Sequence, residues 1–315
     1  MDMLNVNFQS LELANQVTIQ NIDNQPFPSN IEENSLLVKG NLYYYKIGQQ
    51  NLSDGKVMES WLSYVLYAGL LKFRFKKTRY KINLGLSLRE YYQNIRNYIA
   101  IKRQKKLSLF DGSKEISKTL DIVAFTISPN IYAQAIACTK ITSHQSFIVL
   151  KFGIEDFEGI YYNPELTKEK QSYILGDGLG DHCISLNYDG PNQKKGIQEM
   201  QKELTQDAKI KKCIKQYFSN QIDRKISKLT SKNKKTPIII IFEGNISEYI
   251  GEFIASLIKP NEVILKLSKP NTLASEGLYA LDEFETYDAF NEKVGVSIGT
   301  DKTTFTSRKN NLLIS

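Results

Sequence analysis

The densest group of chemistry-bearing residues is Gly176-Asp177-Gly178-Leu179-Gly180-Asp181-His182. Its glycines expose backbone N–H groups that suit a phosphate, and its aspartates offer the oxygen ligands a hard cation takes. The segment lacks the full ligand run of a calcium-binding loop, so a plain turn into the next element stays open beside a phosphate-side loop or a metal site. His144 and His182 are the only histidines, and neither has a serine or cysteine recognisably beside it, which argues against a hydrolytic triad. Cys138, Cys183 and Cys213 are odd in number and widely spaced, with no C-x-x-C pair. That pattern indicates neither a disulfide framework nor a zinc site and fits a reducing compartment. Cys138 falls on an apolar helix face and reads as core.

Lysine and arginine total 41 against 34 aspartates and glutamates, a formal charge of +7. The excess is clustered: Lys72, Arg74, Lys76, Lys77, Arg79 and Lys81, then Lys102, Arg103, Lys105 and Lys106, then residues 209–235. Such blocks are either solvated faces or contacts for a polyanion such as nucleic acid. Trp61 and the tyrosines at 43, 44, 45, 91, 92, 161 and 162 would serve as stacking platforms beside them, or as packing in strands and hairpins.

The elements that must position these groups follow from periodicity. Residues 4–8 and 17–22 alternate like two strands, and residues 36–38 and 42–47 form a hairpin about Gly40-Asn41. Met58, Trp61, Leu62, Val65, Leu66, Leu70 and Phe73 fall on one helical stripe. A strand at 81–86, a basic helix at 88–105, a strand at 120–127, and a helix at 131–138 opened by Pro129 come next. Two β-rich runs, 147–152 and 157–162, predict a second hairpin. After them come a strand at 172–175, a long polar helical region at 194–228, and the continuously apolar Ile238-Ile239-Ile240-Ile241-Phe242, typical of a strand covered on both faces. A helix at 246–258, a strand at 262–267 and a helix at 270–281 complete the order. At 315 residues and 41% hydrophobic content, a prior of about 150 residues per domain suggests two domains. The N-terminus carries no apolar run of signal-peptide length, and no stretch approaches the roughly 20 residues of a membrane span, so a cytoplasmic protein is expected.

Phe27-Pro28-Ser29, Tyr45-Lys46-Ile47-Gly48, Tyr67-Ala68-Gly69, Leu84-Gly85-Leu86-Ser87-Leu88 and Ala274-Ser275-Glu276-Gly277-Leu278-Tyr279 occur in this order across residues 4–281. In that succession the chain resembles the ParM/StbA-type actin-like ATPases of plasmid partition. The resemblance implies an α/β actin-like fold of two ribonuclease-H-like domains with a cleft between them. Domain I would span 1–144, with 270–285 packing back on it, and domain II 145–269; residues 286–315 would be a tail, partly disordered.

The family holds ATP by two β-hairpins with an aspartate in each. At the position matching its first Asp-x-Gly this sequence has Asn7-Phe8-Gln9. The second hairpin, Asp-x-Gly-x-x-Thr-x-Asp in the family, reads Lys151-Phe152-Gly153-Ile154-Glu155-Asp156-Phe157-Glu158. A lysine can pair with phosphate but cannot hold Mg²⁺. Where the family places a water-orienting glutamate after a proline, Asn130 follows Pro129, and asparagine can orient a water but cannot accept its proton at neutral pH. On the adenosine side, Glu243-Gly244-Asn245 keeps one glycine of several. The resemblance therefore implies a degenerate nucleotide site formed by Asn7, Gln9, Asn130, Lys151, Gly153, Glu158, Glu243 and Gly244, with no catalytic residue, no metal ligand and no cofactor. The function expected is a non-hydrolysing actin-like protein working by self-association or contact with an actin-like paralogue, in plasmid segregation or cell organisation. Two alternatives remain at this level. One is an active ATPase binding ATP and Mg²⁺ through Asp156, Glu158 and Asp177 and polymerising to move plasmids; the other is a nucleic-acid-binding protein using the basic blocks.

Overall fold

The computed structural model describes residues 5–6, 14–20, 35–38, 41–44, 66, 70, 79–99, 104–111, 114–142, 146–153, 156–178, 208–230, 236–242, 248–258, 264–267, 272–281, 292–298 and 302–308. The chain divides into two compact units, one of residues 1–9 and 134–273, the other of residues 10–133 and 274–315.

In the first unit a six-stranded sheet runs in the order β1 (Asn5–Val6), β12 (Ile264–Leu267), β11 (Ile238–Phe242), β8 (Phe147–Phe152), β9 (Asp156–Tyr162) and β10 (Ser172–Asp177). β8, β9 and β10 are antiparallel neighbours, whereas β8, β11, β12 and β1 pair in parallel. Ile238 to Ile241 are fully buried, as both faces of a parallel strand must be. Ile148, Leu150, Ile238 and Ile240 point to one face. There they pack with Ile214, Tyr217, Phe218, Ile222 and Ile226 of a long helix, and with Ile254 and Ala255 of another helix, Glu248–Leu257. The long helix consists of Ala208–Tyr217, a π-helical turn Phe218–Ile222, and Asp223–Thr230.

The second unit holds an eight-stranded sheet: β2 (Ala14–Gln20), β14 (Lys302–Arg308), β13 (Glu292–Ile298), β5 (Arg79–Leu86), β7 (Lys114–Pro129), β6 (Gln104–Asp111), β3 (Ser35–Val38) and β4 (Asn41–Tyr44). Helix α1 (Leu88–Ile99) packs on β5 and β7. Of the apolar stripe read at 57–73, Leu66 and Leu70 are described; both are helical and fully buried. The basic helix read at 88–105 ends at Ile99, and its last positions belong to β6, which pairs with a β7 twice as long as the strand read at 120–127.

The segment read as a tail supplies β13 and β14, whose residues 294, 296, 298 and 303–307 are buried. Helix α2 (Asn130–Cys138) follows β7, and helix α6 (Leu273–Ala280) precedes β13; α3, α4 and α5 are Ala208–Tyr217, Asp223–Thr230 and Glu248–Leu257 in turn. α6 is fastened to the sheet at several points. Asn83 on β5 donates from Nδ2 to the Leu278 carbonyl at 2.9 Å and more weakly to that of Leu281 at 3.4 Å, satisfying orphan carbonyls at the end of the helix. Lys293 donates to the Leu281 carbonyl, and the Ser275 and Thr306 hydroxyls share a 2.8 Å hydrogen bond. The helix backbone itself lies on β13 at Gly295, where a Cβ would overlap the Ser275 carbonyl oxygen and the Tyr279 nitrogen. Gly277 meets α2 as closely, its missing Cβ facing the Ala133 carbonyl.

Two expectations follow. In an open helix Gly277→Ala would stabilise by about 1 kcal/mol, but here the methyl must displace backbone. Urea unfolding should show a loss of about 2–3 kcal/mol, against less than about 0.5 kcal/mol for exposed Tyr92→Ala. The second concerns pH. Burial pushes the Cys138 thiol well above its ordinary 9.0, and burial together with the Glu292 carboxylate pushes the Tyr80 phenol well above 10.0. The unfolded chain therefore sheds these protons first, so the stabilisation is complete below about pH 9 and is lost as pH rises through and beyond the unfolded values, by at most about 1.4 kcal/mol per unit and group. Urea midpoints from pH 8 to 10.5 should fall, and Cys138→Ala should flatten the first part of that decline.

Candidate functional site

The β8–β9 hairpin carries Lys151, Gly153 and Glu158. Lys151 and Glu158 are register partners, their side chains buried, with Nζ 3.0 Å from Oε2. One pair nearer the turn, Phe152 and Phe157 pack with ring centroids 4.9 Å apart and planes tilted by 39°, and the Gly153 N–H donates to the Asp156 carbonyl at 2.9 Å. The short turn fixes the register that puts the two charges opposite each other, while Phe152 and Phe157, on the other face of the hairpin, join the core beside Ile148 and Leu150. At the position where the resemblance implies a metal-anchoring carboxylate, an ammonium is present and is already neutralised from across the hairpin.

Asn130 stands at the first position of α2, directly after Pro129, whose register partner is Leu86. It is buried, and both ends of its amide are engaged: Nδ2 donates to the Ile298 carbonyl at 2.9 Å, and Oδ1 accepts from the Ser297 hydroxyl at 3.0 Å. Gly85 provides the space, since a Cβ there would run into Asn130 Oδ1. Asn130 thus ties the start of α2 to the end of β13. Sequence reasoning did not single out Ser297. The signal was present in Val294-Gly295-Val296-Ser297-Ile298-Gly299-Thr300, an apolar strand running into a glycine turn.

The glycine-rich segment begins at the end of β10. Tyr217 donates to the Asp177 carbonyl at 2.7 Å, and Lys225 to the Leu175 carbonyl at 2.7 Å, its Nζ lying over Gly176. The π-helical turn separates Tyr217 from Lys225, so both reach the same strand end from one helix. A π-helical turn of this kind often marks a functional position.

Asn7, Gln9, Glu243 and Gly244 lie outside the described residues, as do positions 179–182. Asn5 and Val6, just before Asn7, pair with Lys266 and Leu267 at the edge of the six-stranded sheet, so the two strands read at 4–8 and 17–22 fall in different sheets. The hairpin beside β5 in the eight-stranded sheet is β13–β14. Among the described residues no group of three or more histidine, cysteine, aspartate or glutamate side chains is placed to hold a metal ion, and no helix is long and apolar enough to cross a membrane.

No protein-family model and no curated protein matches the sequence. Solved structures do match the fold. An archaeal actin homologue, Ta0583, is similar at 14% identity and a TM-score of 0.56, over 82% of this chain and 89% of that one. A ParM subunit from a 15-stranded Clostridium botulinum filament is similar at 15% identity and 0.54, over 83% and 90%. The psk41 ParM protein in its apo form is similar at 13% identity and 0.53, over 84% and 87%. The chain has the actin-like fold.

The ion pair has a measurable signature. Lys151→Met strands a buried carboxylate and should cost about 3–5 kcal/mol in urea unfolding. Adding Glu158→Leu should restore most of that loss, because the pair is then replaced by apolar volume. A double variant no more stable than the single one would show that the two charges are not each other's main partners.

Proposed function

We propose that this chain is an actin-like protein with a degenerate nucleotide site, acting through protein contacts and not through hydrolysis. The observation that carries the reading is the engagement of its polar site positions with one another. Lys151 is matched by Glu158, and Asn130 is spent on Ser297 and the Ile298 carbonyl. Mg²⁺ takes oxygen ligands, commonly one or two carboxylates beside the substrate's phosphates. Lys151 has no oxygen to offer, and both ends of the Asn130 amide already make a hydrogen bond within the protein. Asn7, Gln9, Gly153, Glu243 and Gly244 are the remaining positions of the proposed site, and none of them is an aspartate.

Self-association is the contact proposed first, and the likeness in fold to a filament-forming ParM supports it. The chain would act in the cytoplasm as a filament subunit, as a cap, or as a partner of an active paralogue in plasmid segregation or cell organisation. DNA, or an adaptor on it, is a further proposed contact. Lys212, Lys215, Arg224 and Lys228 are exposed along the α3–α4 helix, an arrangement that suits a phosphate backbone.

Purified protein incubated with Mg-ATP should release phosphate at the rate of the buffer blank, and Mg²⁺ should add nothing to its melting temperature in the presence of ATP. Robust turnover would sink the proposal in favour of the active-ATPase reading. Pelleting and negative-stain microscopy then separate a subunit, which assembles alone, from a cap or partner, which sediments only with an assembling relative. If the basic helix contacts DNA, a gel shift at physiological salt should show a complex that Lys212→Glu/Lys215→Glu weakens.

A further inference from the structure

We infer that the eight-stranded sheet uses the strand arrangement of the six-stranded sheet in circularly permuted order, so that the C-terminal hairpin β13–β14 is its opening hairpin and Ser297 occupies the position that Lys151 holds in the other unit. The strand order stands by itself; only what the position does rests on the functional reading above.

The two units can be compared strand by strand. In the six-stranded sheet the run β10-β9-β8-β11-β12 has two antiparallel junctions followed by two parallel ones. In the eight-stranded sheet the run β2-β14-β13-β5-β7 has the same junctions in the same sequence. The spatial patterns coincide, but the chain visits them differently. It passes through β8, β9, β10, β11 and β12 in that order, whereas it enters the other pattern at its third strand, β2, continues through β5 and β7, and adds the first and second strands, β13 and β14, only at the end. Helices agree with this assignment. α5 connects β11 to β12 as α1 leads from β5 towards β7, and α6 follows β12 as α2 follows β7.

Register makes the correspondence residue-specific. Lys151 pairs with Glu158 on the second strand and with Ile241, the penultimate residue of the fourth. Ser297 pairs with Thr304 on the second strand and with Gly85, again the penultimate residue of the fourth. A glycine follows two residues later in each case, Gly153 and Gly299. The position sought at Asn7 and Gln9 is therefore held by Ser297, a small hydroxyl that meets Asn130, the first residue after the fifth strand. A permutation of this kind requires the joined ends to be neighbours. Ala14 of β2 and Arg308 of β14 are register partners on adjacent antiparallel strands, about 5 Å apart in such a ladder, so a four-residue link would close the gap.

The test has two arms. In the full chain, Thr18→Cys/Thr304→Cys places cysteines at register partners of β2 and β14; mild oxidation should join them, as read by peptide mapping. In the second arm, residues 287–308 are moved ahead of residue 14 through a four-residue glycine-serine link, the chain ending at 286. This relocated chain is compared with a chain lacking only residues 1–13 and with one lacking both 1–13 and 287–315. The relocated chain should melt within about 5 °C of the first control, while the doubly truncated chain should fall by more than about 10 °C. Absence of the cross-link, or a relocated chain no more stable than the doubly truncated one, overturns the inference. ATP turnover has no bearing on either arm, and neither arm bears on turnover, so this inference and the functional reading fail separately.

Discussion

The parallel ladder between β5 and β13 joins segments from distant parts of the chain, Glu292 beside Tyr80 through to Ser297 beside Gly85. Closing a loop of that length carries an entropy cost that grows only slowly with length, and the buried faces of both strands offset it. The rest of the second unit depends on this ladder. It sets Gly295 under the backbone of α6, brings Asn83 to the carbonyls at the end of that helix, and carries Ser297 to Asn130. Glycine is required at 295 and 277 for the same reason in both places: helix backbone approaches the neighbouring chain more closely than any Cβ permits.

The site residues then form a set of internal settlements. A buried lysine and a buried glutamate on facing strands gain little net stability over apolar residues of the same volume, because both charges lose their water. What such a pair does provide is register, since a slip of one residue would bury each charge alone. The Asn130 amide acts likewise in neutral form, fixing where α2 begins relative to β13.

Much of the first unit was legible in the sequence. The isoleucine run at 238–241, the paired β-rich runs at 147–152 and 157–162, and the apolar helix after residue 246 each carry a strong local pattern, and each lies near where it was read. Lys151, Gly153 and Glu158 were legible as a hairpin, though nothing local revealed that the two charges would neutralise each other. β6 was hidden because Lys102, Arg103, Lys105 and Lys106 continue the polar character of the helix before it. β14 was hidden by composition: Lys302-Thr303-Thr304-Phe305-Thr306-Ser307 is polar and looks solvated, yet its threonines are buried.

The sequence by itself determined the fold class, the order of strong elements and which residue types stand at 130 and 151, because these reside in residue type and short-range periodicity. Which hairpin opens the second sheet was decided only in the tertiary structure. Local pattern specifies that a segment is a strand; its neighbours are specified by buried area and register shared with segments far away in the chain. The early strands at 5–6 and 14–20 look alike in sequence, and the ladders place them in different sheets.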